Sequence, residues 1–220
     1  MTSPAVSDAP GVRPGGSRLG RPPGSTAAAT RERILCVAEQ QFALLGYGVA
    51  TNQAIAEGAG VTASSIYHHF GSKADLYAAV SARVHETIFG RYVQRTRGLS
   101  DMAARLKAVV DTSIELHRDD PLMARFLATS NADARTHAEL HAVRDAHVAT
   151  LNGFSRTLVA DLLVPAAAGF GADDVANMIA ALLLGFAGLA DLADDTETLA
   201  RAMRAFEGLV LGQLIAPPEV

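Results

Sequence analysis

The side chains that could act together on a ligand are concentrated in one short segment, Thr51–Phe70. It carries hydroxyl, amide, imidazole and phenol groups on two stretches of helical spacing that are joined by a tight turn. Ala56 is small enough for two helices to cross closely, and Gly60 can adopt the positive φ that a short reversal needs. The pattern predicts a helix-turn-helix whose second helix presents polar side chains to the major groove of DNA.

A second set of groups could bind a metal ion. His137 and His141 lie four residues apart, which on one helix is the spacing that two imidazoles need to share a metal. No Cys or Glu completes such a site, so solvated histidines on a surface helix are favoured. The sequence also contains no Gly-rich phosphate loop and no nucleophile elbow. We therefore expect no catalytic residue, metal or cofactor, and a protein that is not an enzyme.

The elements that position these groups are predicted to be all-α. Apolar residues make up 49 % of the 220 residues, aromatic residues only 5 %, and runs of Ala, Leu, Arg and Glu favour helices. Nine helices are expected, with Thr51, Thr62 and Ser72 as N-caps of the second, third and fourth. The expected boundaries are Thr30–Gly46, Asn52–Gly58, Ala63–Phe70, Ser72–Arg97, Asp101–Arg118, a sixth helix from Asp120, Ala134–Leu163, Ala172–Leu192 and Thr196–Ile215.

Charge is distributed unevenly along the chain. Residues 1–99 hold ten Lys and Arg against six Asp and Glu, a net charge of +4, whereas residues 100–220 hold nine against seventeen, a net charge of −8. This split predicts that only the N-terminal part meets phosphate. Residues 1–29 are rich in Pro, Gly and Ser and are predicted to be a disordered tail. Its Gly20–Gly24 piece resembles a minor-groove arm, although a leader without a role is the favoured interpretation.

The remaining local features point to a reducing compartment and no membrane. Cys36 lies among apolar residues and is predicted to be a buried structural thiol. The most apolar stretch, Val175–Ala190, contains Asn177 and is too short to span a bilayer comfortably. We expect a cytoplasmic protein.

A family resemblance adds to this interpretation. Ala54–Thr62, Ser65–Phe70 and Gly71–Leu76 resemble the DNA-binding domain of the TetR family of repressors, and the match is dense over Ile34–Leu76. The resemblance implies a three-helix DNA-binding domain at residues 30–75. A helical ligand-binding and dimerisation domain would follow at residues 76–220.

The resemblance also implies contacts with DNA. Threonine hydroxyls, Tyr67, His69 and Lys73 would bind the phosphate backbone, and Gln53, Ala63, Ser64 and His68 are the better candidates for base edges. Because few cations lie around Ala63–His69, phosphate affinity would also depend on Arg83 and the arginines of the tail. The chain departs from the family pattern at Ala50, Asn52 and Ser64. The full predicted DNA-binding set is Thr51, Gln53, Thr62, Ala63, Ser64, Ser65, Tyr67, His68, His69 and Lys73.

The apolar patterns of the C-terminal half predict two further sets of residues, one for a dimer interface and one for an effector cavity. Apolar stripes on the last two helices predict a four-helix dimer interface that consists of Leu182, Phe186, Leu189, Leu199, Met203, Phe206 and Val210. A cavity for an apolar effector is expected among His117, Met123, Phe126, Leu127, His147, Phe154 and Met178.

Together these patterns predict a ligand-responsive repressor. It would bind a palindromic operator as a homodimer and be released by a small apolar molecule, with helix four as the lever between effector and DNA. Two alternatives stay open at this point. One is a helical interaction protein that keeps a degenerate helix-turn-helix, and the other is an enzyme on a helical scaffold.

Overall fold

The computed structural model of the chain describes residues 27–160, 169–192 and 195–210, and all of its regular elements there are helical. Most of the predicted tail and the predicted helix ends at Leu163 and Ile215 lie outside the described residues. The helices are α1 (Ala27–Val49), α2 (Asn52–Gly58), α3 (Ala63–Phe70), α4 (Lys73–Thr96), α5 (Met102–Asp119), α6 (Pro121–Thr136), α7 (His141–Val159), α8 (Ala172–Leu192) and α9 (Thr196–Val210), with a 3₁₀ turn at Ala138–Leu140.

The predicted caps fix where the short helices begin. Thr51, Thr62 and Ser72 each accept a hydrogen bond from the backbone N–H three residues later, at N···O distances of 3.1, 3.3 and 3.0 Å. The Ser72 hydroxyl also donates to the Asp75 carboxylate at 2.6 Å, so the two side chains of the predicted capping box contact each other. Each cap satisfies backbone donors that a helix start would otherwise leave unpaired.

The predicted long helix Ala134–Leu163 is wrong. His137 has an extended backbone (φ −116°, ψ 108°) that separates α6 from the 3₁₀ turn. The His137 ring packs against the Tyr47 ring of α1 with centroids 4.9 Å apart, and Leu140 is fully buried. These tertiary contacts override the local helix propensity. His137 and His141 therefore do not share a helix, and the part of the chain that the structure describes contains no cluster of three metal-ligating side chains.

α1 is interrupted at Gly46, whose φ of 73° and ψ of 167° are outside the helical region. Glycine was the predicted helix stop, and the chain then makes one more turn to Val49. α6 holds this kink, because the Tyr47 backbone N–H donates to the Asp133 carboxylate at 3.0 Å. A Cβ atom at Gly46 would lie 3.3 Å from the same carboxylate. Asp133 of α6 thus stabilises the kink and leaves little space for a side chain at Gly46.

The core runs without a break from the N-terminal helices into the rest of the chain. The buried rings of Phe42, Tyr77 and Phe126 come from α1, α4 and α6, with centroids 4.9 and 5.2 Å apart in sequence order. A second, smaller apolar cluster joins α5 to α9 through Leu106, Val110, Ile114, Leu199 and Met203. α6 therefore connects the N-terminal three helices mechanically to the helices behind them.

Two surface features complete the fold. Cys36 is exposed, so the predicted buried thiol is wrong; it lies on the face of α1 that carries Glu32, beside Arg83 of α4. Ala172–Leu189 is long and apolar enough to cross a membrane by length and composition alone, and 17 % of that stretch is buried. Core helices of soluble proteins meet the same criterion but are mostly buried, and a single helix of this kind is weak evidence for a membrane span.

Candidate nucleic-acid interface

The α2–turn–α3 unit is anchored by apolar side chains on one face. Ile55 and Ile66 are completely buried and Ala56 is 1 % exposed, because α2 packs on α1 and α3 packs on α2 and α4. Gly60 has φ 65°, and the Val61 N–H donates to the Ala56 carbonyl at 2.9 Å to close the turn. The predicted helix-turn-helix is present at the predicted residues.

The opposite face of α3 is open. Ser64, Tyr67 and His68 are exposed, and the Tyr67 side chain has 56 % of its surface accessible. Ala63, Ser65 and His69 are half-buried beside them. At the N-terminus the Thr62 hydroxyl contacts the hydroxyls of Ser64 and Ser65 at 2.8 and 2.9 Å. The first turn of α3 thus displays a small cluster of hydroxyl groups next to unpaired backbone N–H groups.

α2 contributes the neighbouring edge of this surface. Thr51 and Gln53 are exposed, and the Gln53 amide donates to Glu57 at 2.7 Å. Ala50 is buried, and the Asn52 side-chain oxygen is buried with no hydrogen-bond partner among the described residues. α2 nevertheless begins at Asn52, because the Thr51 cap is intact.

Two cations are held over aromatic rings near α3. The Lys73 ammonium lies 4.3 Å from the centre of the Tyr47 ring, and the Arg31 guanidinium lies 5.0 Å from the centre of the Phe70 ring. Burial lowers the pKa of Lys73, while the carboxylates of Asp133 and Glu139 act in the opposite direction. Lys73 was predicted as a contact but Arg31 was not, because residues 31 and 70 are brought together only by the tertiary fold.

Arg83 was also predicted to support phosphate binding, and the structure corrects this. Its guanidinium donates to Glu32 at 2.5 Å and to the nearly buried Glu39. Its charge is thereby neutralised between α1 and α4. Residues 27–83 contain four Lys and Arg and four Asp and Glu, so any attraction to phosphate depends on where the remaining cations lie.

The predicted effector residues separate into several environments. His117, Met123 and Leu127 line one interior cavity, and Leu127 also lines a second one with His147. Phe126 belongs to the solid core, and the Phe154 ring stacks on Tyr92 with centroids 5.2 Å apart. The prediction for Met178 is corrected, because its side chain is 48 % exposed on the surface of α8.

The predicted dimer residues also need correction. Leu199 and Met203 are 3 % and 1 % exposed within the cluster between α5 and α9, so they stabilise a single copy of the chain. Phe186, Leu189 and Phe206 pack against that cluster and are only half-buried, and Leu182 is also half-buried. The side chain of Val210 lies outside the described residues.

Comparison with known proteins places this geometry in context. Residues 34–80 match the model of "Bacterial regulatory proteins, tetR family". The transcriptional repressor KstR2 of Rhodococcus jostii is 34 % identical over 85 residues, which are 39 % of this chain and 42 % of that protein. The transcriptional activator FasR of Mycolicibacterium smegmatis is 34 % identical over 90 residues, 41 % of each chain. The chain thus spans less than half the length of these curated relatives.

Solved structures extend the likeness to the whole fold. A TetR-family regulator from Agrobacterium tumefaciens superposes with a TM-score of 0.69 at 19 % identity, over 84 % of this chain and 98 % of that one. A TetR regulator from Legionella pneumophila gives a TM-score of 0.66 at 21 % identity, over 86 % and 98 %. At such identities the similarity establishes the fold alone.

Proposed function

We propose that the chain is a regulator of the TetR family, since residues 34–80 match that family's model. It acts as a cytoplasmic, ligand-responsive repressor that binds a palindromic operator as a homodimer. The observation that carries the proposal is the geometry of α3. Completely buried Ile66 fixes one side of this helix, while Ser64, Tyr67 and His68 are open on the other. A helix presented in this way fits the major groove.

The DNA contacts divide by chemistry. The hydroxyl cluster at the start of α3 and its free N–H groups favour a phosphate, since a helix N-terminus carries partial positive charge. Lys73 and Arg31 would hold phosphates on the flanks of α3. Thr51, Tyr67 and His69 complete the proposed backbone contacts. Base edges are assigned to Gln53, Ala63, Ser64, Ser65 and His68.

The dimer interface is proposed on the outer face of α8 and α9. α8 carries no charged residue between Asp174 and Asp191, and its exposed residues include Met178, Ala181, Gly185 and Gly188. Small residues at a helix surface allow a partner helix to approach closely. Leu182, the half-buried edges of Phe186, Leu189 and Phe206, and exposed Leu209 would extend this contact. Two copies would place their α3 helices roughly 34–36 Å apart, on successive turns of the major groove.

We also propose that the DNA-binding domain ends at residue 75 and that the ligand-binding domain begins at residue 76. α6 would transmit a change in one domain to the other. The cavities that would bind an effector touch α6 through Met123 and Leu127. The far end of α6 holds α1 and α4 through Asp133. A ligand that moves α6 would therefore shift the DNA-binding helices, so α6 acts with α4 as the lever.

One observation favours a second candidate. The equal numbers of cations and acids in residues 27–83 suit an interaction protein whose helix-turn-helix no longer binds DNA. The two candidates differ in whether the chain discriminates between DNA sequences.

The test is binding of the full chain to a labelled fragment from upstream of its own gene, measured by fluorescence anisotropy at about 100 mM salt. Repression by operator occupancy predicts binding at least about 10³-fold tighter than to a shuffled fragment. Lys73→Ala should weaken binding, whereas Lys107→Ala on α5, the matched control, should not. Equal affinity for both fragments would overturn the proposal and favour the second candidate.

A further inference from the structure

Two interior cavities lie side by side behind the DNA-binding helices. Their volumes are about 80 and 50 Å³. Walls from α4, α6 and α8 are common to both, namely Ile88, Tyr92, Leu127, Leu183 and Ala187. Only a thin layer of apolar side chains therefore separates them.

The described residues that line the two cavities include no Lys, Arg, Asp or Glu. The histidines there are neutral, because burial lowers the pKa of His117 and His147 and lowers that of His85 to about 3. The described lining therefore presents no permanent charge to an ionised ligand, and burying an unpaired charge is costly.

Most polar groups in the walls are already paired. The His147 Nδ1 and His85 Nε2 atoms share a hydrogen bond, and the Tyr92 hydroxyl lies 2.8 Å from the Ser113 hydroxyl. Two groups stand apart from these. His117 Nδ1 is buried with no partner in the part of the chain that the structure describes, and the Asn131 amide has none among the same residues. His117 lines only the larger cavity and Asn131 only the smaller one.

We propose, on the basis of the function proposed above, that the effector is an uncharged elongated molecule whose apolar middle spans both cavities and whose two ends each hydrogen-bond one of these groups, His117 at one end and Asn131 at the other. Pairing the buried His117 Nδ1 removes the cost of an unsatisfied polar atom, and a hydrogen bond to the half-buried Asn131 amide adds affinity at the other end.

The size of the cavities links this ligand to regulation. A cavity that holds one benzene molecule has a volume of about 150 Å³, and neither of these cavities reaches it. A ligand that fills both must push aside the shared wall, in which Leu127 belongs to α6 and Leu183 to α8. Leu127 precedes Asp133 by six residues, about 9 Å along the helix. Binding therefore displaces the helix whose end holds α1.

The test compares ligands that share a carbon chain and differ only at the ends: 1,10-decanediol, 1-decanol and decanoate, titrated into the full chain by calorimetry at neutral pH. The diol should bind about tenfold more tightly than the alcohol, and decanoate at least about a hundredfold more weakly than the diol. Decanoate binding as well as the diol would overturn the uncharged class. Equal affinity of alcohol and diol would overturn recognition at both ends, and no binding by any of them would overturn the site.

Variants locate the binding. His117→Phe and Asn131→Leu should each remove the tenfold advantage of the diol while the affinity for 1-decanol stays the same. Ala187→Leu should fill the shared wall and abolish binding of both compounds. Ala149→Leu, an exposed position on α7 that lines neither cavity, is the matched control. Thermal melting and circular dichroism confirm that each variant folds, and an Ala187→Leu protein that folds and still binds the diol would contradict the assignment.

The same proteins keep the two proposals distinguishable. Calorimetry requires no DNA, so the ligand site can be tested even if the chain fails to select its promoter fragment. Selective DNA binding without any response to the diol would refute this ligand class and leave the repressor intact. Diol binding without selective DNA binding would refute the repressor and leave the ligand site intact.

Discussion

Asp133 hydrogen-bonds α6, which lines the cavities, to both α1 and α4, and its removal should therefore destabilise the fold. Its carboxylate accepts the Tyr47 backbone N–H at 3.0 Å and the Tyr77 hydroxyl at 3.2 Å. These donors belong to α1, at the Gly46 kink, and to α4. Burial and this carboxylate together raise the pKa of Tyr77, so the phenol stays protonated as a donor. Asp133→Ala removes both bonds at once.

The expected loss follows from the two contacts. A hydrogen bond to a charged group contributes about 1.5–3 kcal/mol, and the half-exposed position of Asp133 places both at the low end or below. The free energy of unfolding should therefore fall by about 2–3 kcal/mol. For a chain of this length each kcal/mol corresponds to roughly 2–4 °C in melting temperature, so the transition should move down by about 4–12 °C. Tyr77→Phe removes one of the two bonds and should give about half the shift.

The assay is thermal unfolding followed by circular dichroism at equal protein concentration. Asp145→Ala is the matched control, because Asp145 is exposed on α7 and pairs only with the adjacent Arg144 among the described residues. At temperatures where Asp133→Ala is folded, an effector should still bind it but release DNA less well, with the coupling weakened. A melting temperature within about a degree of the control would refute the role of Asp133 as the connection between α6 and α1.

Three other predictions concern charge and exposure. Lys73→Ala and Arg31→Ala should each weaken binding to all DNA sequences equally and reduce the dependence of log K on log salt by about one, as titrations at several salt concentrations would show; an altered base preference would argue against phosphate contacts. The low folded-state pKa of His85, about 3, means that the unfolded chain binds more protons between about pH 3 and 6.5. The free energy of unfolding should therefore decrease as pH falls through 6.5, by about 2 kcal/mol at pH 5, and His85→Gln should flatten urea-denaturation midpoints across this range; an unchanged slope would contradict it. Cys36 should react with a thiol reagent in the folded protein without prior unfolding, and a reaction that occurs only on unfolding would show that it is covered.

The features that the sequence predicted correctly are governed by residues close in the chain. Thr51, Thr62 and Ser72 each cap a helix through a backbone donor three residues away, and Gly60 reverses the chain on its own. Caps and turns of this kind can be identified from local spacing. The helix-turn-helix could therefore be placed to the residue.

The features that the sequence did not predict depend on distant partners. The break at His137 reflects its packing on Tyr47, ninety residues earlier. Arg83 is neutralised by Glu39, and Arg31 is held by Phe70, contacts that only the packing of α1 on α3 and α4 creates.

The dimer prediction failed in part for a related reason. An apolar stripe on α9 does not reveal whether it faces a partner or α5 of the same chain. Leu199 and Met203 face α5.

Whether α3 reads DNA sequence can be measured by selecting bound duplexes from a random library with the full chain and sequencing them. The wild type should select a palindromic consensus. Ser64→Ala and His68→Ala should change the selected bases at symmetric positions, while Lys73→Ala should keep the consensus at lower affinity. A wild-type selection without any consensus, or one that both α3 variants reproduce unchanged, would show that α3 does not read DNA sequence.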